Sequence, residues 1–275
     1  MATVKSQDSN KLSFRDKLMK IHRFYGVEIV YLEPLINKVQ YVIECDYVGY
    51  EKSFYYYRVC KKKMYVNSKP LTNVIDVLAE KCMSAVYPLI LKVNFAGKII
   101  GVENLNKIKE KWLLLKQKLE IEYTGEVSHK YLERIEYGIS NEKIFLKKMN
   151  NDIIFKVLIP NIPTLRSQNF IKDNIKIQIP HPNASSKLTF IGKQEIYPYP
   201  DDNGFIKISY NGEFMESDLI NEPKNTKGNL ILKYHLDQED SSMIRMSGQC
   251  TIIGRENHKV EYKITRLKER ELVKH

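Results

Sequence analysis

Apolar and polar residues alternate along two long stretches in the first third of the chain. In KVQYVIECDYVGYE every second residue is apolar or aromatic, namely Val39, Tyr41, Ile43, Cys45 and Tyr47. This period of two predicts a strand with one buried face. A second aromatic stretch, KSFYYYRVCKKKMYVN, follows after the short link GYEKS, which favours an antiparallel hairpin between the two strands.

Helical spacing of apolar residues occurs in several other stretches. Residues 13–25, SFRDKLMKIHRFY, predict a short amphipathic helix with a basic outer face, because one side carries Phe14, Leu18, Ile21 and Tyr25. Pro70 and Pro88 bracket a second predicted helix. Residues 128–159 are also read as largely helical, with Ser128 and Ser140 as candidate caps. The stretch DIIFKVLIP in that region equally fits a buried strand ending at Pro160.

The strongest helical signal is a stripe that we call the Trp112 stripe. Its apolar residues recur at spacings of three, four, three and four: Leu105, Ile108, Trp112, Leu115 and Leu119. Such a stripe predicts a helix that packs against the rest of the domain. If the chain encloses an apolar cavity between sheet and helix, the Trp112 stripe is expected to line its wall, and otherwise to fill the core.

Six short β-like runs follow residue 175: IKIQIP, KLTFIG, FIKISYNG, GNLILKYHL, MIRMSGQCTIIG and HKVEYKITRL. Turn signals such as PDDNG separate them, so they predict an antiparallel meander. In the last run Val260, Tyr262 and Ile264 alternate with polar residues, which predicts one solvent-exposed face.

The predicted fold class is α+β, with antiparallel sheets packed on a few helices. Residues 1–160 form a mixed α+β part and residues 161–275 a β-meander part, with PNIPTLRSQN as connector, and both parts are able to share one continuous core. A curved sheet wrapped around the Trp112 stripe helix, like a clam, is one concrete form of this architecture.

The formal net charge of +11 raises the question of nucleic-acid binding. The excess lies mainly in the first part, and 35 of the 44 basic residues are Lys, whereas phosphate and base recognition favours the bidentate Arg fork. A Lys-rich solvated surface is therefore favoured over a nucleic-acid site.

Cysteine usage and the apolar runs suggest a compartment. Cys45, Cys60, Cys82 and Cys250 form no CxxC pair and have no neighbouring His cluster, so free thiols in a reducing compartment are favoured, with a Cys45–Cys60 disulfide as the alternative. The first twenty residues lack a signal-peptide apolar region, and no run reaches the roughly 20 apolar residues of a spanning helix. The expectation is a soluble, cytoplasmic protein without a transmembrane segment.

A phosphate-binding loop is the first catalytic candidate to test, because Gly97-Lys98 stands between an apolar run and a helix. The P-loop pattern fails, since Ile99 follows where Ser or Thr is required and no Gly stands five residues before Gly97. A hairpin turn at FAGK, a returning strand IIGV and a helix cap at Asn104 explain the stretch without a ligand.

Two acidic segments are the remaining candidates for chemistry. His235 lies close in sequence to Asp237, Glu239 and Asp240, a set that suits a hard cation or an acid–base pair, yet a solvated hairpin loop is favoured. Asp201 and Asp202 precede Asn203-Gly204, which is a turn signal first. The sequence thus offers no catalytic constellation, cofactor motif or metal-ligand spacing, and an enzyme is disfavoured.

The eighteen tyrosines favour a binding function. Tyr55, Tyr56 and Tyr57 are the candidate partner surface, although core packing of alternate tyrosines, with the others covering the core, is the favoured explanation of this cluster. The leading hypothesis is a non-catalytic cytosolic interaction protein, an adaptor or an assembly subunit with a protein partner. The alternatives are a carrier of a lipid or other apolar ligand, and weak nucleic-acid binding through the basic first part.

Overall fold

A computed structural model describes residues 22–94, 98–152, 154–155, 170–181, 187–197, 199–217, 225–239, 242–254 and 256–268. Twelve strands and four helices lie in this part of the chain. The strands are β1 (His22–Glu33), β2 (Asn37–Glu51), β3 (Phe54–Val66), β4 (Lys69–Pro70), β5 (Leu89–Val93), β6 (Ile99–Val102), β7 (Ile171–Pro180), β8 (Lys187–Tyr197), β9 (Phe205–Ser217), β10 (Lys227–Asp237), β11 (Met243–Ile253) and β12 (His258–Leu267). The helices are α1 (Val74–Val86), α2 (Leu105–Glu122), α3 (Glu126–Ser140) and α4 (Glu142–Asn151).

All twelve strands belong to one open antiparallel sheet. Its order is β6-β5-β3-β2-β1-β12-β11-β10-β9-β8-β7, and the short β4 pairs with β3. The predicted α+β class and the six-stranded C-terminal meander are therefore confirmed. The meander is joined to the first strands by pairing of β1 with β12, in which Val27 lies opposite Ile264. The sheet thus continues across both parts of the predicted division at residue 160.

The sheet curves strongly in its C-terminal half. His181, directly after β7, contacts His258 at the start of β12, with ring centroids 4.9 Å apart. Four strands lie between β7 and β12 in the sheet, so a flat sheet would separate them by about 24 Å at a strand spacing of roughly 4.8 Å. The contact confirms the expectation of a curved sheet.

The first strand corrects the prediction of a helix over residues 13–25. Residues 13–21 lie outside the described part, but His22 to Tyr25 begin β1, and Tyr25 is 3% exposed in the core. From Tyr25 onwards Val27, Ile29 and Tyr31 recur with a period of two, and β2 and β12 pair with β1 on its two sides. Strand pairing satisfies the backbone on both edges, and this overrides the local helical spacing.

Each helix begins directly after a polar residue or a Gly. Asn73 caps α1 by accepting a hydrogen bond from the Ile75 amide at 3.0 Å, and Asn141 caps α4 through the Ile144 amide at 3.1 Å. The predicted cap Ser128 instead lies inside α3, which already begins after Gly125, and Ser140 is the last residue of that helix. The helix predicted between Pro70 and Pro88 is confirmed.

The core lies on one side of the sheet, which we call the inner face. Alternate strand residues such as Tyr25, Ile43 and Val59 join helical residues such as Leu78 and Trp112 in a single buried cluster. The opposite side, the outer face, carries the intervening polar residues.

All four cysteines are free. The β2–β3 register sets Cys45 opposite Val59 on the inner face and Cys60 opposite Glu44 on the outer face, which excludes a Cys45–Cys60 disulfide.

No helix in the described part of the chain is long and apolar enough to cross a membrane.

Candidate functional site

The Trp112 stripe lies in the core. Leu105, Ile108, Trp112 and Leu119 are buried, and Leu115 packs against the same cluster. Neither of the two pockets described below is lined by these residues. Helical spacing places all five residues on one side of α2, and that side packs into the core cluster. Its role as a ligand-cavity wall stays a prediction.

The three consecutive tyrosines of β3 divide between the two faces of the sheet. Tyr57 is 5% exposed and Tyr55 packs against the core, next to Tyr47. Tyr56 points to the outer face, where the ammonium of Lys92 lies 5.7 Å from its ring centroid. The use of Tyr55, Tyr56 and Tyr57 as a partner surface stays a prediction, and Tyr56 is the member placed to make such a contact.

The Gly97-Lys98 stretch forms a hairpin, as predicted. Phe95 to Gly97 lie outside the described residues, but Asn94 and Lys98 close the turn through hydrogen bonds of 3.0 and 2.9 Å. Asn104 precedes α2 as its N-cap, yet its side chain makes no cap bond. Its amide instead donates to the Pro88 carbonyl at 2.7 Å and accepts from the Ile90 amide at 2.9 Å, which fixes the start of α2 to β5.

The acidic segment after His235 forms the predicted hairpin loop. Asp237 accepts a hydrogen bond from the Glu239 amide at 3.0 Å and pairs with Arg266 at 3.3 Å. The imidazole of His235 is hydrogen-bonded to Arg245 and not to these carboxylates. Asp240 lies outside the described part. The structure therefore separates the imidazole and the carboxylates that are adjacent in sequence.

Asp201 occupies the predicted turn before β9. It accepts hydrogen bonds from the amides of Phe205 and Asn203, both at 3.0 Å, and pairs with Lys207 at 3.0 Å. The Phe205 amide contributes most to lowering the pKa of the Asp201 carboxyl, and Lys207 adds to this. These bonds identify a structural turn residue.

One group of potential metal ligands lies on the outer face of the described sheet. His22, Glu44 and Asp46 bring one ligand atom each within 4.8 Å of one another. The carboxylates already have cationic partners, since Asp46 contacts both His22 and Arg58 while Glu44 contacts Lys62. This ion-pair network explains the group without a metal.

A groove of about 620 Å³ crosses the outer face over four adjacent strands, β1, β12, β11 and β10. We call it the outer groove. Its cationic lining side chains are Lys233, Arg245 and Lys263, and its hydroxyl and amide side chains are Ser247, Gln249 and Thr265. Glu28, Glu261 and His235 also line it. A groove of this size lies within the range of ligand-binding pockets, roughly 300 to 1,000 Å³.

Strand register arranges the cations of the outer groove around one serine. Ser247 lies opposite Lys233 on β10 and opposite Lys263 on β12. Arg245 precedes Ser247 by two residues on β11 and therefore shares its face. All four side chains are exposed. The three basic residues form a triangle, and Ser247 lies on the side between Lys233 and Lys263.

Ion pairs within the described residues do not neutralise the three positive charges of this triangle. Lys233 and Lys263 form no ion pair within the described residues, and Arg245 donates from Nε to Nδ1 of His235 at 3.1 Å. Burial lowers the pKa of His235, and the positive charges of Arg245 and Lys207 lower it further, which favours the neutral imidazole. The nearby Glu28 is engaged by Lys38 at 3.3 Å and Gln40 at 2.8 Å.

The sequence indicates that these residues lie on an exposed strand face, but it does not indicate that they lie next to one another. Polar residues at alternate positions of the last three strands predict an exposed face, and Lys263 belongs to the run that carries this prediction. Their convergence on Ser247 depends on the register of β10, β11 and β12, which the individual strand patterns leave open.

A second pocket of about 300 Å³ lies between β3 and the C-terminal end of α1. Met64, Met83, Tyr87 and Pro88 supply apolar surface, and Lys61, Lys62 and Lys63 lie beside them. The Lys61 ammonium sits 3.9 Å from the Tyr41 ring centroid, and burial lowers its pKa. This sheet–helix pocket is amphipathic, and it differs from the cavity anticipated at the Trp112 stripe.

Comparisons with known proteins show little similarity. No family model matches the sequence, and no curated protein matches it. One similar solved structure concerns lipid–protein interactions in lipovitellin. It shares 9% identity and a TM-score of 0.47 over 90% of this chain, which spans 25% of the lipovitellin chain. A likeness at this level carries no functional argument for the present protein.

Proposed function

We propose that this protein is a non-catalytic interaction protein, an adaptor or a subunit of a multi-protein assembly, that contacts its partner through the outer face of its sheet. The observation that carries this proposal is the outer groove. It opens on the exposed face of four adjacent strands, while the inner face of the sheet belongs to the core. An exposed groove lined by charged and polar side chains is a suitable place for a partner to bind.

The charges of the groove favour an acidic partner surface. Lys233, Arg245 and Lys263 project from adjacent strands without carboxylate partners among the described residues. Complementary potentials steer association and exclude partners of like charge. An acidic segment of a protein partner would neutralise these cations, whereas a basic one would be repelled.

The hydrogen bonding of His235 supports a binding role rather than catalysis. A general base needs a free ring nitrogen within reach of a substrate proton. Nδ1 of His235 accepts from Arg245, and Nε2 lies 3.4 Å from the same guanidinium. The carboxylate of Asp237, a potential partner of His235 in an acid–base pair, is bound to Arg266.

Site-specific photo-crosslinking tests the proposed binding face. A photoreactive amino acid at Gln249, in the outer groove, is compared with the same residue at the exposed Glu133 on α3. In cells that produce the protein naturally, we expect a discrete crosslinked protein partner from position 249 and none from position 133. Absence of a product from position 249 would refute the proposal, and a product from position 133 alone would move the interface to the helices.

The pocket between β3 and α1 supports a second candidate function, transport of an apolar or amphipathic ligand. Its Met64, Met83 and Tyr87 side chains would contact an apolar chain, while Lys61 beside them would face an anionic head. Native mass spectrometry of the purified protein tests it. A co-purified lipid that is lost when Met83→Trp fills the pocket would support a carrier, and a bare chain mass would argue against one.

A further inference from the structure

We infer that the outer groove binds a phosphate group carried by the protein partner, with Ser247 at the centre of the phosphate site. This inference rests on the proposed use of the outer face as the binding face. It specifies the chemistry of the partner, namely a phosphorylated side chain on a peptide segment rather than an acidic surface in general.

The register of three strands sets the dimensions of the site. Ser247 lies opposite Lys233 on one side and Lys263 on the other. Directly opposed residues place their Cβ atoms about 4.5–5.5 Å apart. Arg245 stands two residues before Ser247 on the same strand, at about 6.8 Å for a rise of roughly 3.4 Å per residue. Long side chains reach across such distances, so both lysine ammonium groups and an Arg245 N–H group not engaged by His235 are able to contact one anion above Ser247.

The charge at this point exceeds what a carboxylate would neutralise. The Nε–H of Arg245 donates a hydrogen bond to His235, a second guanidinium nitrogen lies 3.4 Å from the same ring, and neither lysine has an ion pair within the described residues. Glu28, opposite Lys263 on β1, is already bound to Lys38 and Gln40. Glu261 lines the same groove one row away, opposite Gln249. An anion above Ser247 therefore lies closer to Lys233 and Lys263 than to either of these carboxylates.

A phosphate monoester matches this arrangement better than Asp or Glu. It carries about −1.5 to −2 charges at pH 7 and three strong acceptor oxygens. One oxygen is available for each of Lys233, Lys263 and Arg245, and Ser247 adds a hydroxyl donor beneath them. Charge-assisted hydrogen bonds of this kind are roughly twice as strong as neutral ones.

The shape of the groove favours a peptide as the carrier of the phosphate. The groove runs across four strands, which span about 14 Å at a spacing of roughly 4.8 Å. That is wider than one phosphate needs, and Gln249, Thr265 and Thr251 offer further hydrogen-bonding groups along the same face. Recognition of a phosphorylated segment by clustered basic residues is a common mode of peptide binding.

Binding of phosphoserine peptides provides the test. A fluorescent peptide library with a fixed central phosphoserine and randomised flanks is compared with the same library carrying serine. We expect binding of the phosphorylated library to be at least about tenfold tighter, and the double variant K233M/K263M to weaken it by about tenfold or more. The variant S247A is expected to weaken it by a smaller factor, because a single neutral donor is lost.

A matched control removes the same charge from the same face. The double variant K193M/K259M deletes two outer-face lysines that lie outside the groove, Lys193 on β8 and Lys259 on β12. It should retain the affinity for phosphopeptides, because long-range effects of exposed charges are screened at physiological salt. Circular dichroism verifies that each variant is folded, as expected for substitutions on the solvent-facing side of the sheet.

Four results would overturn the inference. These are equal binding of the phosphorylated and unphosphorylated libraries, equal losses in both double variants, binding of inorganic phosphate as tightly as the peptides, and preferential binding of single-stranded RNA. The crosslinking experiment at Gln249 is independent of these outcomes. A groove crosslink without phosphate dependence would leave the proposed function standing and remove only the phosphate site.

Discussion

Arg245 donates a hydrogen bond to His235 across 3.1 Å between adjacent strands, although the side chains are a cation and a basic imidazole. The contact is favourable only while the imidazole is neutral. It links the protonation of His235 to the positive charge of the outer groove, and it accounts for part of the lowered pKa of His235, after the larger effect of burial.

This pairing predicts that His235 titrates below the usual histidine value of about 6.5. Replacing Arg245 with Met removes one of the two nearby cations, so the pKa of His235 should rise towards that value. NMR titration of the imidazole signals measures it directly, with K193M as a control that leaves the pKa unchanged. A pKa that stays constant in R245M would show that Arg245 does not contribute to the lowering.

The interactions of Asp46 predict how the free energy of unfolding decreases in acid. Burial by itself raises the pKa of its carboxyl, but hydrogen bonds from His22 and Arg58 outweigh burial, and the pKa is lowered overall. The stabilisation is therefore present above the unfolded-state pKa of about 3.9 and disappears as the pH falls through the folded-state pKa.

Urea denaturation at pH values between 7 and 3 tests this prediction. The free energy of unfolding should be lower in Asp46→Asn than in the wild type at pH 7, and the difference should shrink at the acidic end. Asp202→Asn, an exposed turn residue on another strand connection, is the control and should run parallel to the wild type. A constant difference across the whole range would contradict the assignment.

Asn104 is predicted to stabilise the junction of β5 and α2 through its side chain rather than as a helix cap. Asn104→Ala leaves the Ile90 amide and the Pro88 carbonyl without partners and should cost about 1–3 kcal/mol of unfolding free energy. Asn106→Ala, at an exposed position of the same helix, should cost nothing measurable or stabilise slightly. Equal effects of the two variants would show that the Asn104 hydrogen bonds are not important.

Trp112 is predicted to be a major contributor to core stability. It is 1% exposed, so Trp112→Ala should lower the unfolding free energy by about 3–5 kcal/mol. Its indole Nε1 has no hydrogen-bond partner within the described residues, and Trp112→Phe should therefore cost less, since it removes volume but no hydrogen bond. Leu114, 67% exposed on the same helix, is the control, and Leu114→Ala should change stability by less than about 0.5 kcal/mol. A small effect of Trp112→Ala would instead indicate a cavity beside the stripe.

Local sequence patterns predicted most individual elements because they record which side chains face the core. The alternation of Tyr41, Ile43 and Cys45 identified β2, and the spacing of Ile108 and Trp112 identified α2. The pattern was misleading at Tyr25, where helical spacing with Phe14, Leu18 and Ile21 masked the start of β1. That segment is a strand because it pairs with β2 on one side and with β12 on the other.

The outer groove was beyond prediction for a related reason. Lys233, Ser247 and Lys263 each read as a polar residue on an exposed strand face. Their proximity depends on which strands are neighbours and in what register, and neither property is encoded within a single strand. The guanidinium partner of His235 was likewise not predicted, because Arg245 lies on the neighbouring strand, outside the segment that was correctly predicted as a hairpin loop.

By itself, the sequence determined most of the elements, the buried stripe around Trp112, the antiparallel meander and the solvent-exposed side of its strands. These features follow from side-chain periodicity, which is a local property of the chain. The tertiary structure alone decided that β1 pairs with β12, that the sheet curves until His181 meets His258, and that three cations surround Ser247. Such relationships join residues far apart in sequence, and they are fixed by the burial of one shared core and by the strand register that this burial selects.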